Sequence, residues 1–362
     1  MKSLSFFAGL LCMLGTGPVL VSCRPAQKLG ADPSPAVLYP PPPAEARIQY
    51  FSSISSSSDV APPGNGLRRY LLGREEEVVL RKPYGMDAKG PVLYVADAGL
   101  PGLVLIDLDK GQMKPFSPGG EGRMSLPINC VVDDRGRLFV ADAGRRKVLV
   151  FDAEGRFLAA LEGPEPFKPT DVQVHERGIW VASVEGHALH EFDSDDYSWK
   201  KQGPVLQPGA PGFLRQATNL AMDSSRIWVS DFGDFNVKQY SLDGEWMGSV
   251  GGAGHLPGRF TRPKGIAVDR NGILYVVDAA FQNVQMFNPG GEVLMSFGGS
   301  TSGKGAMFLP AGICISYENL DRYSNRVPEG TELKYLIYVC NQYGSDKINV
   351  YGYLESVDSN GS

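Results

Sequence analysis

Asn129, Asp171 and Asn219 stand at one equivalent position in three consecutive copies of a pattern that recurs along the chain. Amide and carboxylate oxygens gathered at one point are hard donors that suit Ca²⁺, so these residues are the candidate metal ligands. Other copies carry glycine there, as at Gly85, Gly265 and Gly312. Asn and Asp are also the residues that best replace glycine where a backbone is strained, so a purely conformational role is the competing reading. Asp97, Asp142, Asp231 and Asp278 recur in the same way at the end of a second apolar run, with Ser183 and Asn341 in that place in two further copies. A reactive centre needs unlike groups converging, whereas a fold needs the same turn many times. These carboxylates are therefore expected to cap turns by accepting backbone N–H bonds.

His175 replaces the turn Asp of its copy, His187 and His190 flank a hairpin and His255 lies in a loop, so the histidines make no zinc set. The sequence holds no Cys-x-x-Cys-His, no Gly-x-Ser-x-Gly, no phosphate-binding loop and no clear nucleophile beside a base. No catalytic residue is assigned. Cys130, Cys314 and Cys340 fall on apolar positions and are expected to be small core residues. What remains is a surface. Arg145, Arg146, Arg215, Phe232, Phe235, Arg259, Phe260, Phe281 and Tyr343 lie in loops expected to share one face. Arginine and aromatic side chains dominate interface energetics, so this is the expected partner-binding face.

The elements that position these groups are short strands. Residues 262–298 contain four apolar runs separated by Asp-Arg-Asn-Gly, a middle turn and Asn-Pro-Gly-Gly, which reads as a four-stranded antiparallel meander. The six positions that end the second run are spaced by 45, 41, 48, 47 and 63 residues. Self-similarity at such a period, with strands and no helical pattern between units, predicts an all-β propeller. The last copy lacks a fourth strand, and residues 47–54 form a strand with no partner nearby in sequence. That strand is expected to join the last blade and close a six-bladed ring of four-stranded antiparallel blades, removing two exposed edges. Residues 317–330 insert into this last copy on the side opposite the Arg- and Phe-rich loops.

Pro-Lys-Gly-Ile-Ala-Val-Asp at 263–269, Ile-Leu-Tyr-Val-Val-Asp at 273–278 and Val-Gln-Met-Phe-Asn at 284–288 resemble the NHL repeat. Residues 126–163 and 215–251 match well, and 82–116, 167–203 and 309–353 match with departures. The resemblance implies a propeller and says little of function, since the family includes ligand-binding scaffolds, lyases and protein- or RNA-binding modules. Propeller lactonases, similar in blade architecture, hold a cation with such a cluster. Their ligands come one residue earlier, where this chain has Ile128, Thr170, Thr218 and Lys264, and they add a Glu. Amidating lyases of the NHL type bring three histidines to one metal, and this chain shows no matching trio.

At 362 residues, 43% hydrophobic, with a formal net charge of −5 and no basic run, the chain can bury a full core and does not suit nucleic-acid binding by phosphate neutralisation. Residues 1–22 read as a signal peptide, and Leu20-Val21-Ser22-Cys23 resembles the bacterial lipobox, in which the Cys is lipidated. By resemblance to sorting rules, Arg24 after that Cys points to the outer membrane of a cell envelope. Residues 23–46 carry seven prolines and read as an extended tether, residues 47–354 as the propeller and 355–362 as a polar tail. The expected role is a lipid-anchored, non-catalytic scaffold for an envelope or extracellular protein, with no required cofactor. The alternatives are a Ca²⁺-dependent hydrolase or lyase of the lactonase type at the channel mouth, and a small-ligand or glycan binder there.

Overall fold

The computed structural model describes residues 35–61, 76–300 and 303–357. The signal peptide, Cys23 and the first part of the tether lie outside the described residues. The rest folds as six antiparallel sheets. Their first strands, Pro83–Lys89, Pro127–Val132, Pro169–His175, Ala217–Met222, Pro263–Val268 and Pro310–Ser316, contact one another in ring order, and the sixth returns to the first. The molecule is therefore a six-bladed β-propeller with these strands around its axis. Proline opens five of the six, where a strand's first residue needs no ladder donor.

Each blade is apolar on both faces because both are covered by neighbours, so middle strands such as Leu138–Asp142 and Leu274–Asp278 are buried at every position. The core divides accordingly into six clusters, one per interblade space. Cys130, Cys314 and Cys340 are buried and free, as expected of small core residues.

Ring closure follows the sequence expectation. Ile48–Ile54 pairs antiparallel with Ile348–Ser356, the last strand of the sixth blade. Val37–Tyr39, placed in the tether by its flanking prolines, adds a fifth and outermost strand through Tyr39↔Ile48 and Val37↔Tyr50. Three successive non-proline residues are enough to pair with an edge. The insert at 317–330 contains two short 3-10 helices, Leu320–Arg322 and Ser324–Arg326. It crosses the closure seam: Tyr323 stacks on Phe51 at 4.7 Å, Asn319 Nδ2 donates to Gly90 O at 2.9 Å, and Arg322 pairs with Asp109 at 2.7 Å. No helix among the described residues is long and apolar enough to cross a membrane.

Candidate functional site

Every inner strand shifts register just after its first residue, between Pro127 and Asn129, Pro169 and Asp171, and Ala217 and Asn219 for instance. Bulges of this kind re-aim side chains. Here they direct one tier toward the next blade. A Cβ at Gly85 would lie 2.5 Å from Ile128 O, one at Gly265 would lie 2.4 Å from Ala311 O, and one at Gly312 would lie 2.4 Å from Tyr84 O. None of these glycines has positive φ. The conformational reading is thus corrected: in the first, fifth and sixth blades glycine is required here by the close approach of the neighbouring backbone, and no backbone strain is involved.

Asn129, Asp171 and Asn219 fill the same tier in blades two to four and line a central cavity of about 140 Å³. All three are buried. Asn129 Oδ1 accepts from Cys130 N at 2.9 Å. Asp171 Oδ1 accepts from Val172 N and Oδ2 from Leu220 N of the next blade, each at 2.7 Å. Only Asn219 Oδ1 has no partner. Asp87, two residues past Gly85, also lines the cavity, and its Oδ2 accepts from Val132 N at 2.8 Å. Burial pushes Asp171 from its ordinary 3.8 up to about 7 and Asp87 up to about 6, and the Asp87 charge adds to the rise at Asp171. Ca²⁺ takes about six to eight oxygen ligands. Three of the tier's oxygens already accept backbone N–H bonds, so the tier alone offers fewer free oxygens than that number. Among the described residues no group of three His, Cys, Asp or Glu is placed to hold a metal.

The repeated second-strand carboxylates cap turns, as expected. Asp142 accepts from the N–H groups of Ser125, Leu126 and Arg145, and Asp278 from those of Thr261, Arg262, Ala280 and Phe281. Each ties the interblade loop to the loop after the second strand, which fixes both on one face. Asp231 additionally accepts from buried Lys238 Nζ at 2.6 Å.

That face carries the sequence-predicted recognition residues, and the structure separates them. Phe260 is fully buried between blades four and five, packed on Phe287 at 5.6 Å, and so leaves the candidate surface. Arg145 Nη1 donates to Arg123 O at 2.8 Å, and Arg146 pairs with Glu165 and Glu185 of the next blade at 2.9 and 2.8 Å. Arg215 pairs with Asp234 at 2.8 Å, and Arg259 Nη1 donates to Gly251 O at 2.9 Å. Phe232 and Phe235 lie 6.5 Å apart, half-buried, and Phe281 meets His255 edge-on at 5.9 Å. Tyr343 is 56% exposed, with Lys82 Nζ 5.7 Å from its ring. Sequence reasoning missed Arg262, whose exposed guanidinium sits over Phe232 at 5.9 Å and has no acidic partner among the described residues. It precedes the proline of an inner strand, a position that looks purely structural in the repeat.

Tyr84 and Lys264 belong to the tier just before the cavity. Lys264 Nζ donates to Tyr84 OH at 2.8 Å and lies 4.6 Å from its ring, passing over the intervening sixth blade.

Six antiparallel blades around a central cavity define a six-bladed β-propeller. No family model matches the chain. Human NHL repeat-containing protein 3 is 25% identical over 233 residues, covering 54% of this chain and 63% of that protein. The chain thus spans less than two thirds of that relative. Among solved structures, a streptogramin B lyase superposes with a TM-score of 0.52 at 15% identity, covering 76% of this chain and 94% of that one. Virginiamycin B lyase from Staphylococcus aureus gives 0.51 at 14%, covering 75% and 95%. A Bacteroides thetaiotaomicron protein of unknown function gives 0.56 at 18%, covering 76% and 70%. At these identities the likeness speaks for fold alone. The six-bladed propeller and the match to an NHL repeat-containing protein agree with the resemblance read from the repeats.

Proposed function

We propose that this propeller is a non-catalytic scaffold, anchored by lipid at Cys23 in a cell envelope, that docks an acidic protein surface on the face bearing Phe232, Phe235, Arg262 and Phe281. The supporting observation is the charge imbalance of that face within an acidic protein. Several of its carboxylates are engaged internally, Glu165 and Glu185 by Arg146 and Asp234 by Arg215 and Lys238, while Glu121 and Asp346 form no ion pair among the described residues. Exposed Arg81, Arg123 and Arg262 have no acidic partner among the described residues. Unpaired guanidinium groups beside half-buried rings are the usual anchors of an interface, and complementary charge speeds encounter. Arg145 and Arg146 serve the propeller's own loops, so they contribute less than their sequence positions suggest.

The test is affinity capture from a detergent-solubilised envelope with the wild-type chain and with a Phe232→Ala, Arg262→Ala, Phe281→Ala triple variant. The reading expects a partner retained by wild type and lost by the variant at unchanged melting temperature, with retention falling as salt rises. Equal capture by both would remove this face from the function. A Cys23→Ala variant that still fractionates with membranes would remove the anchor.

A further inference from the structure

We infer that Lys264 and Tyr84 form a receptor for a carboxylate at the mouth of the axial channel, and that its occupant is an acidic side chain of the docked protein. The identity of the occupant rests on the docking reading, whereas the site itself does not. Lys264 is the second residue of the inner strand Pro263–Val268 in the fifth blade, and Tyr84 is the second residue of Pro83–Lys89 in the first. The sixth blade lies between them and has only Ala311 at the equivalent position, 1% exposed. A methyl side chain there leaves room for the lysine to cross, and its Nζ donates to Tyr84 OH at 2.8 Å.

Both ends of this bridge keep donors. An ammonium has three N–H donors. Lys264 has no acidic partner among the described residues, so its bond to Tyr84 leaves the other donors open. Because Lys264 supplies the hydrogen of that bond, the Tyr84 hydroxyl keeps its own proton, and no acceptor for it is present among the described residues. A carboxylate has two acceptor oxygens and can take one hydrogen from each group in a charge-assisted pair. The second observation is the charge around the mouth. The three residues at the start of each inner strand, 82–84, 126–128, 168–170, 216–218, 262–264 and 309–311, include Lys82, Lys168, Arg262 and Lys264 and no Asp or Glu. Lys82 and Arg262 also lack an acidic partner among the described residues. At the far ends of the inner strands stand Asp87, Asp133, Asp223 and Asp269. An acidic chain thus gathers positive charge at one end of its axis, which draws an anion there. The carboxyls of the adjoining cavity, Asp87 and Asp171, are turned to neighbouring backbone, accepting from Val132 N and Leu220 N. Arg262 holds its guanidinium over the Phe232 ring at 5.9 Å, so the bridge offers point donors and not the fork that favours a phosphate.

Tyr84 gives a direct readout. The full chain, labelled with ¹³C in its tyrosine rings, is titrated with an N-acetylated, C-amidated triglutamate peptide, with the matching triglutamine peptide, with acetate and with inorganic phosphate, the Tyr84 signal being assigned from a Tyr84→Phe variant. The expected result is saturable movement of that signal with triglutamate, none with triglutamine, and weaker movement with acetate. Lys264→Met should weaken triglutamate binding at least tenfold at unchanged melting temperature. The comparison of the two peptides on wild type needs no variant, so it decides the matter even if Lys264→Met fails to fold. Equal movement with triglutamine, no saturable movement, or full affinity in folded Lys264→Met would overturn the inference. Tighter binding of phosphate than of acetate would overturn it in favour of a phosphoryl site. Envelope capture separates this inference from the docking reading. If Lys264→Met holds the partner as wild type does while the Phe232, Arg262 and Phe281 triple variant loses it, docking stands and the axial occupant falls. If the triple variant captures equally, docking falls, and the peptide titration alone decides the site.

Discussion

Asp278 accepts from the N–H groups of four residues and is completely buried. Replacing it with Ala strands those donors, each of which costs about 1–3 kcal/mol when left unmade. Urea unfolding of Asp278→Ala is expected to show a loss of about 3 kcal/mol or more, with Asp278→Asn intermediate because one amide oxygen remains. A loss under about 1 kcal/mol would mean that water replaces the carboxylate. Asp171 gives the second residue-scale prediction. Folding raises its carboxyl from 3.8 to about 7, so the native state binds more protons than the unfolded chain between those values. Stability contributed by this group therefore falls as pH rises through that window. Wild type should lose stability between pH 5 and pH 8 relative to Asp171→Asn, read as a change in the difference of urea midpoints. The role of Asp278 was legible because repetition in like positions signals a turn. That of Gly85, Gly265 and Gly312 was not, because the constraint comes from the backbone of another blade, at Ile128, Ala311 and Tyr84 respectively, and leaves φ ordinary.

Blade boundaries were legible at the scale of elements, since apolar runs and turn residues repeat with a strand's period. The closing strand was legible too, because Ile48–Ile54 is strand-like with no local partner. The insert could be seen only as an extra length. Nothing local reveals that Tyr323 stacks on Phe51 or that Arg326 Nη2 donates to Phe51 O at 2.6 Å, both contacts between segments more than 270 residues apart. Phe260 was misjudged for the same reason: a loop aromatic looks exposed until the gap between blades that it fills is known. The insert now reads as a clasp on the seam. Tyr323→Ala removes a stacked ring and should cost about 1–2 kcal/mol, concentrated where the ring closes. Amide hydrogen exchange should quicken across Ile48–Ile54 and remain unchanged in Gly178–Ser183 of the third blade, on the far side of the propeller. Uniform quickening would deny the insert a local role.

The whole molecule is a ring whose last joint is made by residues far apart in sequence, so its stability is not evenly distributed along the chain. A propeller blade buries its faces only against neighbours, and the sixth has its outer strand from the opposite end of the chain. Removing residues 1–34 leaves every described pairing in place, whereas removing residues 1–54 strips the sixth blade of Ile48–Ile54 and exposes the edge of Ile348–Ser356. Phe51, Ile54 and Ile48 would also vacate the clusters on both sides of that blade. The shorter deletion is expected to melt with wild type. The longer one should lose cooperative unfolding or self-associate through the bared edge, visible as a broadened melting transition and a larger species on size exclusion. A synthetic peptide covering residues 47–54 should restore the sharp transition if closure is what was lost. Should the longer deletion melt like wild type without the peptide, the remaining blades would be closing the ring unaided and the joint would carry no special share of the fold.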